Sequence, residues 1–468
     1  MSHQDKDCRT PSRTNAQDLS AAIHGLLGDV QWPGVRFRRD CGWATLGLVT
    51  TALLWACSPK PTLTERFGQA LKCARRLGRS LAPVTTSYQA FLKLLVRWTA
   101  DLRIEIALEY QRTMERRFPE SFRIAGFVPL GGDGSKLQLA RTRSNEARYS
   151  PAKARAKRGK GRRTTGRRKL SRRARARRAR AKKADSPQMA LTLLHHLGVR
   201  LPWDWRLGSS DSSERQHLLE MIPQLPRDAL VVADGGFVGY EFWSALLAST
   251  RHFVIRVGGN VRLLKKLGLA RERQGTVYLW PDKAAKRQQP PLRLRLVEVH
   301  DGRRSWYLVT SVLNPRRLSE RQVAQIYGYR WRIELFFRHF KQTYGRAKLR
   351  SHKGAHAECE AEWSLLGLWT MLLHARLQLP LQDRSRLSAA RVLRAFGQAL
   401  DAYECRAESG ESLGELLCQA VIDPYQRRDK TSRDYPRKKY EPPAGTPRIS
   451  KASSTQRQRA QQVMNPAA

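Results

Sequence analysis

Tyr327, Arg330, Glu334 and Lys341 lie within "YGYRWRIELFFRHFK", one acid among several bases. At about 100° per residue, with Tyr327 at zero, Arg330 falls near 300°, Glu334 near 340° and Lys341 near 320°. Ile326, Ile333, Phe336, Phe337 and Phe340 fall between roughly 180° and 280°. The spacing therefore predicts one amphipathic helix with a narrow polar stripe beside a buried one. Two uses fit that stripe. Glu334 pairs with Arg330 at i−4 as an ordinary surface ion pair, or it is a metal ligand flanked by cations that grip phosphates.

Two further acids stand out in a chain with 87 Lys and Arg against 40 Asp and Glu. Asp133 ends "AGFVPLGGDGS" and Asp234 ends "DALVVADGG", where apolar runs give way to glycines. The pattern predicts carboxylates on the rim of a sheet, although Asp beside Gly is also common in turns. Three carboxylates at one sheet edge have a defined chemical use. Hard oxygen ligands can hold two Mg²⁺ ions about 3.5–4 Å apart, which activate a nucleophile and stabilise the leaving oxygen of a phosphodiester.

The elements that must position these residues come from the rest of the 468 residues, enough for two or three domains. Residues 1–18 read as disordered. Residues 19–118 read as helices: a buried one over 43–57, too short to span a membrane, one opening at Thr62 or Thr64, and one over 87–118. They fit either a DNA-reading module or a bundle packed on the main domain. From about 120 to 350 short β-branched runs alternate with helical stretches, which predicts an α/β domain. Helices follow over 351–421, and 424–468 reads as a disordered basic tail.

The formal charge of +47 calls for a polyanion, and nucleic acid is the commonest one. Residues 152–183 hold eighteen Lys or Arg and no acid. This arm cannot fold by itself and suits phosphate contact without base reading. The seven cysteines form no CxxC pair, which argues against a zinc site or a disulfide framework and fits a reducing cytoplasm.

Tyr-x2-Arg-x3-Glu-x6-Lys, filled by Tyr327, Arg330, Glu334 and Lys341, resembles the signature of bacterial DDE transposases of the insertion-sequence-4 family. Asp133 in "DGS" and Asp234 in "VVADGGF" resemble its first and second catalytic aspartates. Intervals of 101 and 100 residues separate the three acids. The resemblance implies an RNase H-like core over 120–350. It also implies a β-rich insertion over about 245–315 that holds "HFVIRV" and "WYLVTSVLNP". It implies that Asp133, Asp234 and Glu334 are catalytic and bind two Mg²⁺, with Mn²⁺ able to substitute. Tyr327, Arg330 and Lys341 would then bind DNA, and Trp306 would stack on a base drawn out of the duplex, although the strand pattern alone leaves Trp306 a packed sheet residue.

The implied partners are double-stranded DNA, as terminal inverted repeats and target, and a second copy of the chain on DNA. No membrane is involved, and the implied location is the bacterial cytoplasm at the nucleoid. The family usually has Arg after the second aspartate, where this chain has Gly235. A DNA-binding protein without catalysis and a metal-dependent nuclease that never joins strands are the alternatives.

Overall fold

The computed structural model describes residues 14–38, 41–78, 83, 86–152, 186–269, 272–300, 305–405, 411–422 and 445–464. The basic arm expected at 152–183 therefore lies outside the described residues, apart from Ala152. The described part is a mixed α/β structure built on one ten-stranded sheet.

The strands are β1 (Val128–Gln138), β2 (Gln188–His196), β3 (Leu201–Gly208), β4 (Ala229–Ala233) and β5 (His252–Val257). They continue as β6 (Arg262–Lys265), β7 (Thr276–Leu279), β8 (Leu292–His300), β9 (Ser305–Thr310) and β10 (Arg448–Lys451). Their order in the sheet is β10-β6-β7-β8-β9-β5-β4-β1-β2-β3. β1, β2 and β3 pair antiparallel, while β1, β4 and β5 pair parallel. All five residues of β4, "ALVVA", are buried, as expected of a parallel strand covered on both faces.

Among the described residues, four longer helices precede the sheet: α1 (Asn15–Leu27), α2 (Thr45–Cys57), α3 (Leu63–Leu77) and α4 (Tyr88–Arg117). Thr62 and Glu65 form a reciprocal capping box that starts α3, and Ser87 caps α4. Short helices α5 (Pro119–Phe122) and α6 (Arg143–Tyr149) flank β1. Within the sheet region lie α7 (Glu214–Met221), α8 (Tyr240–Ala248), α9 (Asp282–Lys286), α10 (Glu320–Gly328) and α11 (Trp331–Arg338). The remainder are α12 (Gly354–Gln378), α13 (Ala389–Cys405), α14 (Leu413–Cys418) and α15 (Ser454–Met464).

α12 is buried along nearly its whole length and packs against α2, α4 and α13. Buried Arg346 fastens this packing. It donates to the Ala56 carbonyl at the end of α2 (2.9 Å), to the Tyr344 carbonyl (3.1 Å) and to Ser364 Oγ on α12 (3.1 Å). The N-terminal helices thus pack directly on the segment that follows α11.

Several expectations change. Residues 327–341 are not one helix, because α10 ends at Gly328 and α11 begins after Arg330. The joint is tightened by i→i−3 bonds, with Arg330 N donating to Tyr327 O (3.0 Å) and Ile333 N to Arg330 O (3.0 Å). His339–Thr343 then forms a π-turn. The strand His252–Val257 pairs parallel with β4 and directly extends the strands that carry the aspartates. Residues 448–464, expected as disordered tail, form β10 and α15, because β10 pairs with the edge of β6. α1 begins at Asn15 behind a Thr14 capping box, so order starts before residue 18.

Candidate active site

Asp133 lies inside β1 rather than at its end: the strand runs five residues beyond it, and Asp133 sits opposite Leu193 of β2. The glycines around it serve close packing, not a turn. A Cβ on Gly131 would meet Ile333 Cδ1 at 2.6 Å and Leu197 Cδ2 at 2.7 Å, and one on Gly132 would meet Leu218 Cδ1 at 3.0 Å. α11 therefore lies against β1 through the Ile333–Gly131 contact, which brings the neighbouring Glu334 toward Asp133.

Asp234 follows β4 directly. Its Oδ1 accepts from Gly236 N (2.8 Å), capping a short 3₁₀ turn over Gly235–Phe237. Gly132 and Ala233 are register partners on adjacent parallel strands, so Asp133 and Asp234 are the next residue on each. The sheet puts these two carboxylates side by side without help from any loop.

Arg330 joins the third acid to the first. Its Nη2 donates to Glu334 Oε1 at 2.6 Å, and its Nη1 lies 3.7 Å from Asp133 Oδ2. The i−4 ion pair foreseen in the sequence is present, and it is extended onto the sheet. Asp133 is pushed up to about 6, first by burial and then by the charges of Asp234 and Glu214; the Gly134 amide and Arg330 pull the other way. Gly134 N donates to Asp133 Oδ1 at 2.8 Å.

Tyr327 lies in the last turn of α10 with 8% of its surface exposed. Its ring lies 5.2 Å from that of Trp306 and 6.0 Å from the Arg330 guanidinium carbon. Burial raises its phenol above the usual range. Trp306 is half-buried on β9, opposite Val299 of β8. Lys341 falls in the π-turn, half-buried, with no ion pair among the described residues, and burial lowers its ammonium below the usual value.

No motif in the sequence marks Glu214. It opens α7 behind the Ser213 cap, and its Oε1 lies where a Cβ on Gly134 would stand, 1.9 Å from that position. Its carboxyl is raised by burial and by Asp234, with Lys136 opposing. The only local signal is an acid in a helix first turn, which is commonplace.

All the donors gathered here are oxygens, the hard set that suits Mg²⁺ or Mn²⁺. Asp133, crowded by other carboxylates and raised toward neutrality, is the kind of group that gains from a nearby cation. As the side chains stand, Arg330 is that cation for Asp133 and Glu334. Among the described residues no three His, Cys, Asp or Glu side chains close on a common point. No helix among them is long and apolar enough to cross a membrane.

Residues 137–369 match the transposase DDE domain family. The match includes Asp234 and Glu334 and begins four residues after Asp133. Transposase InsG for insertion sequence element IS4, from Escherichia coli (strain K12), is 26% identical over 203 residues. That alignment covers 41% of this chain and 45% of the relative, so less than half of the relative's length is spanned. The solved piggyBac transposase synaptic complex with hairpin DNA is 11% identical, covering 92% of this chain and 90% of that one. Its TM-score of 0.37 is too slight a likeness to carry an argument.

Proposed function

We propose that this chain, whose residues 137–369 match the transposase DDE domain family and which resembles an insertion-sequence-4 transposase, cuts DNA at the ends of its own mobile element and joins those ends to a target. One observation carries the reading: Asp133 and Asp234 directly follow paired residues of adjacent parallel strands, while Arg330 links Asp133 to Glu334.

In this reading strands β1 to β5, in the order β3-β2-β1-β4-β5, are an RNase H-like core, and β6 to β9 belong to the insertion before the glutamate helix. The N-terminal and C-terminal helices, 19–118 and 351–421, support it. Asp133, Asp234 and Glu334 would hold two Mg²⁺ ions, which Mn²⁺ could replace. Bound there, the cations supply Lewis-acid activation of the attacking oxygen and stabilise the leaving one.

The chain's own part is positioning. Gly131 seats Ile333, and so fixes Glu334 against β1. Arg330 holds Glu334 and Asp133 in register until substrate arrives, and its guanidinium fork suits a phosphate oxygen pair. Lys341, a half-buried cation with no acid partner among the described residues, supplies a point charge for a second phosphate. Tyr327, braced by Trp306, limits where the backbone can lie. Two element ends must react together, so a homodimer assembled on double-stranded DNA in the cytoplasm is the working form.

The test is incubation of the full chain with a pre-cleaved element end, a plasmid target and Mg²⁺. Joined products support transposition. Fragments without joining would make the protein a nuclease, and retention of intact DNA would make it a binder without catalysis.

A further inference from the structure

Arg332 lies two residues before Glu334 on α11, about 200° around the helix, and it faces a different cavity. The lining of that cavity, about 560 Å³, includes Arg200, Arg332, Arg376 and Arg384, with Tyr329 and Leu381 also at its wall. Four separate segments supply the arginines: the β2–β3 turn, α11, the last turn of α12, and the loop after it.

The charges there are not balanced. Arg384 Nη1 lies 3.6 Å from Glu120, the one acid among the lining residues. Arg123, also in the lining, is taken by Glu115 and Asp228 at 2.8 Å each. Arg200, Arg332 and Arg376 make no ion pair among the described residues. Arg200 donates to the Ser385 carbonyl, and Arg332 donates to the Leu197 carbonyl while stacking 3.7 Å over the Tyr329 ring. Arg376 is 6% exposed, and its Nε is buried with no hydrogen-bond partner.

A buried guanidinium without a counter-charge is costly, and it does not relieve the cost by releasing its proton. Burial first, and then Arg200, Arg332 and Arg384, push Arg376 down to about 9. Burial lowers the neighbouring imidazole of His195 well below its usual value. An anion that accepts several N–H donors at once answers this arrangement, and a phosphate group has the oxygens and the charge for it.

We propose that this cavity is a phosphate-binding site, separate from the carboxylate cluster, in which Arg200, Arg332 and Arg376 converge on one phosphate group. Occupancy ties the β2–β3 turn, α11 and the end of α12 to a common counter-charge, so it braces the Glu334 helix from its reverse side. Free phosphate and a backbone phosphate of DNA offer the same chemistry, and their sources are separable.

The experiment uses the full chain and Arg376→Gln, each melted in inorganic phosphate and in chloride at equal ionic strength, and each titrated with a short DNA duplex over a range of salt. If the site takes free phosphate, phosphate raises the wild-type melting temperature above its chloride value, and the variant loses that response with duplex affinity unchanged. If the site takes backbone phosphate, the variant binds duplex about tenfold more weakly, and the slope of log affinity against log salt falls by about one. Phosphate and duplex responses equal in wild type and variant would overturn the site, because the phosphates would then be held elsewhere. Arg376→Gln removes a buried unpaired charge, so its melting temperature in chloride should equal or exceed that of wild type. Should that variant fail to fold, Arg200→Gln, on a turn, is read by the same two titrations with the same criteria.

Discussion

The indole of Trp306 rests 5.2 Å from the ring of Tyr327, centroid to centroid, with the planes tilted by 42°. One face of Trp306 is therefore already engaged by a residue that also lies beside Arg330. A single aromatic contact to a displaced base is worth about 1–3 kcal/mol. Trp306→Ala should accordingly slow second-strand cleavage by about 5- to 150-fold and leave the first nick nearly unchanged. An abasic site near the element's terminus should partly restore the rate. If Trp306→Phe restores both steps while the abasic site restores neither, Trp306 acts only by seating Tyr327.

The carboxylates are separable from DNA binding. Asp133→Asn, Asp234→Asn and Glu334→Gln should each lower strand cleavage by about 10³-fold or more. A gel-shift with the element's end should stay within a few-fold of wild type. Asp133 bears most weight in this comparison, since it lies in mid-strand; full cleavage by Asp133→Asn would reduce it to a structural strand residue.

Close packing at Gly131 sets the position of Glu334. An added methyl there would stand 2.6 Å from Ile333 Cδ1, and overpacking of this kind costs about 1–3 kcal/mol. Gly131→Ala should lower the melting temperature and depress cleavage further than the stability loss explains. Adding Ile333→Val, which deletes Cδ1, should recover part of both. No recovery in the double variant would place the clash at Leu197 instead.

Acid stability should respond to Glu362 on α12. It accepts from Trp205 Nε1 (2.7 Å) and lies 3.3 Å from Arg103 Nε. Burial pushes it up to about 6, with Arg103 and Trp205 opposing. The unfolded chain then releases this proton near pH 4.5 and the folded chain near pH 6. Between those values the folded state binds more protons, so this group's contribution falls as pH rises and stays low above about 6. The size is on the order of 2 kcal/mol. Glu362→Gln should match wild type near pH 4.5 and melt higher than wild type above pH 6. A lower melt above pH 6 would mean that the Arg103 pair outweighs burial.

The Glu334–Arg330 relation could be read from the sequence because it is local: four residues apart on a helix are neighbours whatever the fold. Asp234 was legible for a similar reason, since five apolar residues announce a buried strand and the aspartate ends it. The break between α10 and α11 was not, because a helical wheel assumes an even pitch and the i→i−3 bonds at Arg330 do not keep it. In the sequence Asp133 reads as a strand end because glycines usually signal turns. Here they make room for Ile333, Leu218 and Glu214, which come from elements eighty residues or more away. Glu214 and the arginine cavity were invisible for the same cause. Arg200, Arg332, Arg376 and Arg384 have no mutual spacing that a period could reveal. The strand at 448–451 hid in a polar segment because its partner, β6, lies far back in the chain.

That last pairing has a consequence for damaged copies of the chain. β10 covers the outer edge of β6, which would otherwise present bare amides and carbonyls. A product interrupted before residue 448 keeps the strands that carry Asp133 and Asp234 and the helix that carries Glu334, but exposes that edge. In such a chain β6, and no longer β10, would be the outermost strand of the sheet.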